Sequence, residues 1–154
     1  MPPERVAVDS FYLADGAQVV GGKLYVLGGG WNYLNLRGPS AHVGLFVIVG
    51  RILIPVADSD RDFEFLIHLD PPLDEVLLGG PRFRLVLRPD DPPDQQRSVE
   101  TATPFAVEVF SLTFPWAGEY AFVISYGNEE LARTRFQVNF VETDPTATPQ
   151  PDTA

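Results

Sequence analysis

Three segments of this chain alternate apolar and polar side chains with a period of two. Phe83, Leu85 and Leu87 interleave with Arg82, Arg84 and Arg88, with Val86 as the exception. Phe63, Phe65, Ile67 and Leu69 interleave with Glu64, Leu66 and His68, and Phe136, Val138 and Phe140 with Arg135, Gln137 and Asn139. Successive side chains of a strand point to opposite faces, so each pattern describes a strand with one face inward and one outward. No run of apolar residues falls at helical spacing. Fifteen prolines and thirteen glycines interrupt the chain at short intervals, the punctuation of sandwiches and barrels. The pattern predicts an all-β chain, an antiparallel two-sheet β-sandwich of eight or nine strands. The strands are expected at 5–13, 17–20, 23–28, 42–54, 62–69, 82–88, 104–114, 119–126 and 131–141.

Local signals sharpen this outline. Gly21-Gly22 between two short apolar runs predicts a tight two-residue hairpin, because turns with φ > 0 match the twist of the flanking strands. A triple glycine, Gly28-Gly29-Gly30, then ends on Trp31. From Pro104 to Phe114 the apolar parity changes: Phe105, Val107 and Val109 share one phase, and Phe110, Leu112 and Phe114 the other. One extra residue near Val109-Phe110 reconciles them, which predicts a β-bulge or a strand that changes sheets there.

A chain of 154 residues fits one domain, expected over 4–141, large enough to need no disulfide or metal. Residues 142–154 hold no large apolar side chain beyond the strand end, and their Thr, Pro and Ala predict a disordered tail. The absence of cysteine removes thiol catalysis, thiolate zinc sites and disulfide frameworks together. A net charge of -10 argues against nucleic acid, whose affinity comes from Lys and Arg neutralising phosphates. The apolar stretch from Val43 to Ala57 is shorter than the about 20 residues a membrane helix needs, and Arg51 and Pro55 interrupt it. Met1-Pro2-Pro3-Glu4-Arg5 lacks a basic start followed by an apolar run, which predicts no cleaved secretion signal and a cytoplasmic protein.

Two resemblances follow from particular residues. Gly118-Glu119-Tyr120 enters a strand carrying Phe122, Ile124 and Tyr126 on one face. It resembles the tyrosine corner of immunoglobulin-like sandwiches, whose hydroxyl bonds back to upstream backbone. The segment from Leu13-Ala14-Asp15 through Gln18-Val19-Val20 and Lys23-Leu24-Tyr25-Val26-Leu27 to Gly28-Gly29-Gly30-Trp31 resembles the start of a family of small uncharacterised bacterial proteins, a domain of unknown function. Weaker similarity continues through Val47 to Pro55 and the strand from Phe63, while Pro71 to Thr103 departs from the pattern. The resemblance implies one compact β domain and carries no activity and no site residues.

Chemistry-bearing motifs are weak. Gly28-Gly29-Gly30 lacks the Gly-Lys-Ser/Thr of a phosphate loop and the helix that must follow. Asp58, Asp60 and Asp62 alternate as at the start of a calcium loop, but Phe63 and Leu69 stand where an EF-hand needs Gly and Glu. A solvated turn is the plain reading, with a calcium site at the sandwich tip as the alternative. Asp90, Asp91 and Asp94 carry the same ambiguity. His42 and His68 show no metal-ligand spacing. Ser10, Ser40, Ser59, Ser98, Ser111 and Ser125 lack a nucleophile elbow. The expectation is therefore no enzyme and no cofactor.

What remains is a binding or protein-interaction module, with a carbohydrate-binding or calcium-assisted adhesion module as the alternative. Trp31, Tyr33 and Trp116 are the loop aromatics that could stack on a ligand or equally fill a core. The strand from Val43 to Ile54 is apolar on both faces: Val43, Leu45, Val47, Val49 and Leu53 on one, Phe46, Ile48, Ile52 and Ile54 on the other. A sandwich strand buries one face only. Either the N-terminal hairpin covers the second face, or a protein partner or second copy does, with Ile48 and Ile52 as candidate contacts.

Overall fold

The alternating segments fold as strands in the computed structural model, which describes residues 5–55, 61–72, 81–89 and 100–142. Nine strands lie within them: β1 (Ala7–Val20), β2 (Lys23–Gly29), β3 (Tyr33–Leu36), β4 (Phe46–Pro55), β5 (Phe63–Asp70), β6 (Arg82–Leu87), β7 (Glu100–Val109), β8 (Gly118–Tyr126) and β9 (Glu129–Phe140). One sheet has the order β2-β1-β4-β7 and the other β3-β9-β8-β5-β6. The expected tail, 142–154, lies outside the described residues beyond Glu142.

The architecture is an immunoglobulin-like sandwich, with one correction to the antiparallel expectation. β3 pairs parallel to β9, from Tyr33–Gln137 to Leu36–Phe140, so the second sheet is mixed. The triple glycine is the reason. It carries the chain from β2 in one sheet to β3 in the other, so β3 need not return as a hairpin. Gly28 and Gly30 have φ of 59° and 88° in this crossing, a conformation only glycine adopts freely. The alternation reading misses β3, which is too short to show a period.

The hairpin at Gly21-Gly22 forms as expected, with φ of 58° and 74° and Val20 paired to Lys23. The strands expected at 5–13 and 17–20 are one continuous β1. Ala14 is its pivot, paired to Val47 of β4 on one side and to Gly29 of β2 on the other. The expected strand at 104–114 instead starts at Glu100 and stops at Val109, with no register shift against β4. The parity change is a sheet change: Ser111 takes φ 52° and the chain crosses to β8.

Both faces of β4 are covered from within the chain. Phe46, Ile48, Ile52 and Ile54 are buried in the core between the sheets. Gly50 does not interrupt that row, because a Cβ there would fall 2.6 Å from the Phe105 ring that fills the space. On the other face Val47 and Val49 are buried with Ala14, under Tyr12, Ala17, Leu24 and Val26. The β1–β2 hairpin thus curls over β4, and β2 comes close to β7 across it. Ile48 and Ile52 are therefore corrected from candidate binding residues to core residues: both are fully buried, facing the opposite sheet.

Aromatic rings run through the core in a chain. Trp31 meets Phe46 edge-on at 5.6 Å, Phe46 meets Phe122 at 6.0 Å, and Phe122 stacks on Phe136 at 5.5 Å. At its far end the Tyr120 ring is buried beside Phe114. Its hydroxyl donates to the Trp116 carbonyl at 2.8 Å and accepts from the Trp116 N–H at 3.1 Å, which makes the tyrosine corner.

A candidate binding groove where two strands part

β1 and β4 run side by side as far as the pair Ala14–Val47. Beyond it β1 turns away with β2, and their pairing ends. The gap opens into a groove of about 610 Å³ lined by Asp15, Gly28 to Gly30, Trp31, Tyr33, Leu34 and Val43 to Phe46. One wall is the glycine crossing, tied down by the Gly30 N–H donating to the Leu13 carbonyl at 2.7 Å. The other is the approach to β4. Trp31 is half-buried, its indole Nε1 enclosed with no hydrogen-bond partner among the described residues.

The approach to β4 stays aligned with the end of β7. Phe46 pairs with Val109, and the Val43 N–H donates to the Leu112 carbonyl at 2.9 Å in the same register. That register sets Leu45 opposite Phe110. Both are exposed, at 50% and 65%. Tyr33 is exposed at 59% on the groove, and Tyr25 and Leu27 at 56% and 75% on the strand that leads into Gly28. Apolar patches on soluble monomers are commonly functional when they are contiguous and rimmed around a concavity.

Glycine at position 28 has a local cause. A side chain there would collide with the Asp15 carboxylate, which lies across it. Asp15 is the one carboxylate of the groove lining and makes no ion pair among the described residues.

The other candidates lie apart. Trp116 is in the β7–β8 connection, outside the groove lining, where its backbone holds Tyr120. His42 Nδ1 lies 3.1 Å from the Ser111 carbonyl, whereas His68 contacts Asp70 at 3.1 Å on the outer face of the second sheet. That face also carries ion pairs of Arg133 with Asp70 and Glu130, and of Arg135 with Glu119. Asp62 lies 3.8 Å from Arg88. Asp58, Asp60, Asp90, Asp91, Asp94, Ser59 and Ser98 lie outside the described residues. Among the described residues no three His, Asp or Glu side chains converge as metal ligands.

Of the loop aromatics, the structure brings Trp31 and Tyr33 together and leaves Trp116 out. Sequence reading misses Asp15, Gly44, Leu45 and Phe110. Leu45 and Phe110 carried a usable signal, since each is apolar where a strand loses its expected cover.

No curated protein matches the chain. An immunoglobulin-like protein of Pseudomonas aeruginosa with a known crystal structure is similar at 13% identity and a TM-score of 0.41, over 88% of this chain and 97% of its own. The model of a family of unknown function, DUF6941, matches residues 9–139, which takes in β2 to β8 whole, nearly all of β1 and β9, and every residue of the groove. The chain belongs to that family, DUF6941.

Proposed function

We propose that this chain is a non-catalytic protein-binding module that works through the groove and its apolar rim. The observation that carries the reading is the pair of exposed side chains Tyr33 and Leu45 on the lining of one concavity, with Phe110 exposed opposite Leu45 and with Leu27 and Tyr25 exposed on the strand that leads into its glycine wall. Burying such side chains favours association at roughly 25 cal/mol per Å² of apolar surface. Aromatic residues are the anchors that interfaces use most. The carbohydrate reading gains no such support. It needs Trp31 and Trp116 on one patch, and Trp31 stands edge-on to Phe46 with Trp116 elsewhere. An enzymatic reading lacks a second carboxylate or a histidine beside Asp15 in the groove lining.

The test compares the full chain with its Tyr33→Ser/Leu45→Ser variant as baits in lysate of the source cells. Both positions are exposed, so the variant keeps its melting temperature. A prey held by the wild type and lost by the variant is the expected result. Identical prey on both baits refutes the reading.

A further inference from the structure

We propose that the groove takes an extended, basic-flanked apolar segment of another protein, which adds as a strand to the open edge beside Gly44. The inference rests on the binding-module reading above and supplies its mode and its ligand chemistry.

In an antiparallel ladder, alternate residues direct their backbone N–H and C=O to opposite neighbours. The Val43 N–H is committed to Leu112 on the β7 side. Gly44, one residue on, therefore directs its N–H and C=O the other way, into the groove. β1 would cover that side had it kept its pairing past Ala14–Val47, and it has left to pair with β2. Among the described residues the Gly44 backbone has no backbone partner. A strand edge with unpaired donors and acceptors is a template for another strand.

The facing wall suits a main chain. Asp15 lies across Gly28, and Val26 and Tyr12 pack against Gly29, but Cβ atoms built on Gly30 and Gly44 meet nothing within 4 Å, which leaves the backbone open at those two positions. A strand laid there turns alternate side chains to opposite sides. One set faces Trp31 and Phe46 at the groove floor, and the other meets the rim of Leu45 and Tyr33. Charge selects the flanks of the segment. Asp15 stands on the groove without an ion pair among the described residues, on a chain of net charge -10. A lysine or arginine in the ligand complements it, and an acidic segment is repelled.

The experiment selects a library of displayed linear peptides on the full chain. The expected consensus alternates apolar residues and carries a Lys or Arg at one flank. Asp15→Asn should reduce both the affinity of a consensus peptide and its salt dependence. Gly44→Pro, which removes the amide hydrogen offered to the ligand strand, should weaken binding by about tenfold, equivalent to about one lost hydrogen bond. In the wild type, bound peptide should slow hydrogen exchange of the Gly44 amide, a readout independent of how the variant folds. Peptides that bind while the Gly44 amide exchanges at its free rate overturn strand addition, as does a consensus that is acidic or lacks alternation. A library without binders, alongside a lysate prey that still depends on Tyr33 and Leu45, sinks strand addition alone. Loss of that prey dependence as well sinks the module reading with it.

Discussion

Replacing Tyr120 by Phe removes one oxygen and both bonds that close the tyrosine corner. The hydroxyl binds the Trp116 carbonyl and N–H at 2.8 and 3.1 Å, while the ring keeps its edge-on contact with Phe114 at 4.9 Å and its stack on Phe136 at 5.9 Å. Each bond contributes about 1 kcal/mol net, so the pair is worth about 2 kcal/mol. In a chain of this length that loss lowers the melting temperature by about 4–8 °C. Urea unfolding followed by circular dichroism should show a lower midpoint with an unchanged m-value. Alkali adds a second arm. Burial holds the Tyr120 phenol above its ordinary value of 10.0, with the Trp116 backbone hydrogen bond pulling the other way. A phenol raised on folding contributes stability that is complete below its unfolded value and lost as pH rises through the folded one. The advantage of the wild type over Tyr120→Phe should therefore shrink above pH 10. A loss under about 0.5 kcal/mol, less than a single typical hydrogen bond, or a gap that widens in alkali, refutes the corner as a stabilising element.

Four further substitutions test the packing and the surface charges. Gly50→Ala would put a Cβ 2.5 Å from the Ser10 carbonyl and 2.6 Å from the Phe105 ring. It should cost about 3 kcal/mol in thermal unfolding, as overpacked sites do, whereas Gly44→Ala in open space should change little. Ser111→Gly relieves a left-handed residue at φ 52° and should raise stability by about 1 kcal/mol; a loss would show that the Ser111 side chain matters more than its backbone. Arg133 hydrogen-bonds Glu130 at 2.6 Å and holds its carboxyl below the ordinary value of 4.5. In Arg133→Gln the Glu130 titration, followed by NMR, should move back toward 4.5. A depressed carboxyl contributes stability above its unfolded value and loses it as pH falls through the folded one, so wild type and variant should converge in acid.

The sequence by itself determined most of the strands, the two-residue hairpin and the tyrosine corner, because each depends on neighbours along the chain. Strand alternation at Phe63 to Leu69 has a period of two, Gly21-Gly22 meets a backbone demand for φ > 0, and Tyr120 bonds a residue four positions away. Tertiary structure decided what lies over each face. Ile48 and Val47 look equally apolar in sequence. Only the curl of the β1–β2 hairpin assigns one to the main core and the other to a second, smaller one. The groove belongs to the same class. Asp15, Gly28, Trp31 and Leu45 meet because β1 gives up β4 for β2 at Ala14, and that exchange of partners between distant strands leaves no period or motif in the chain.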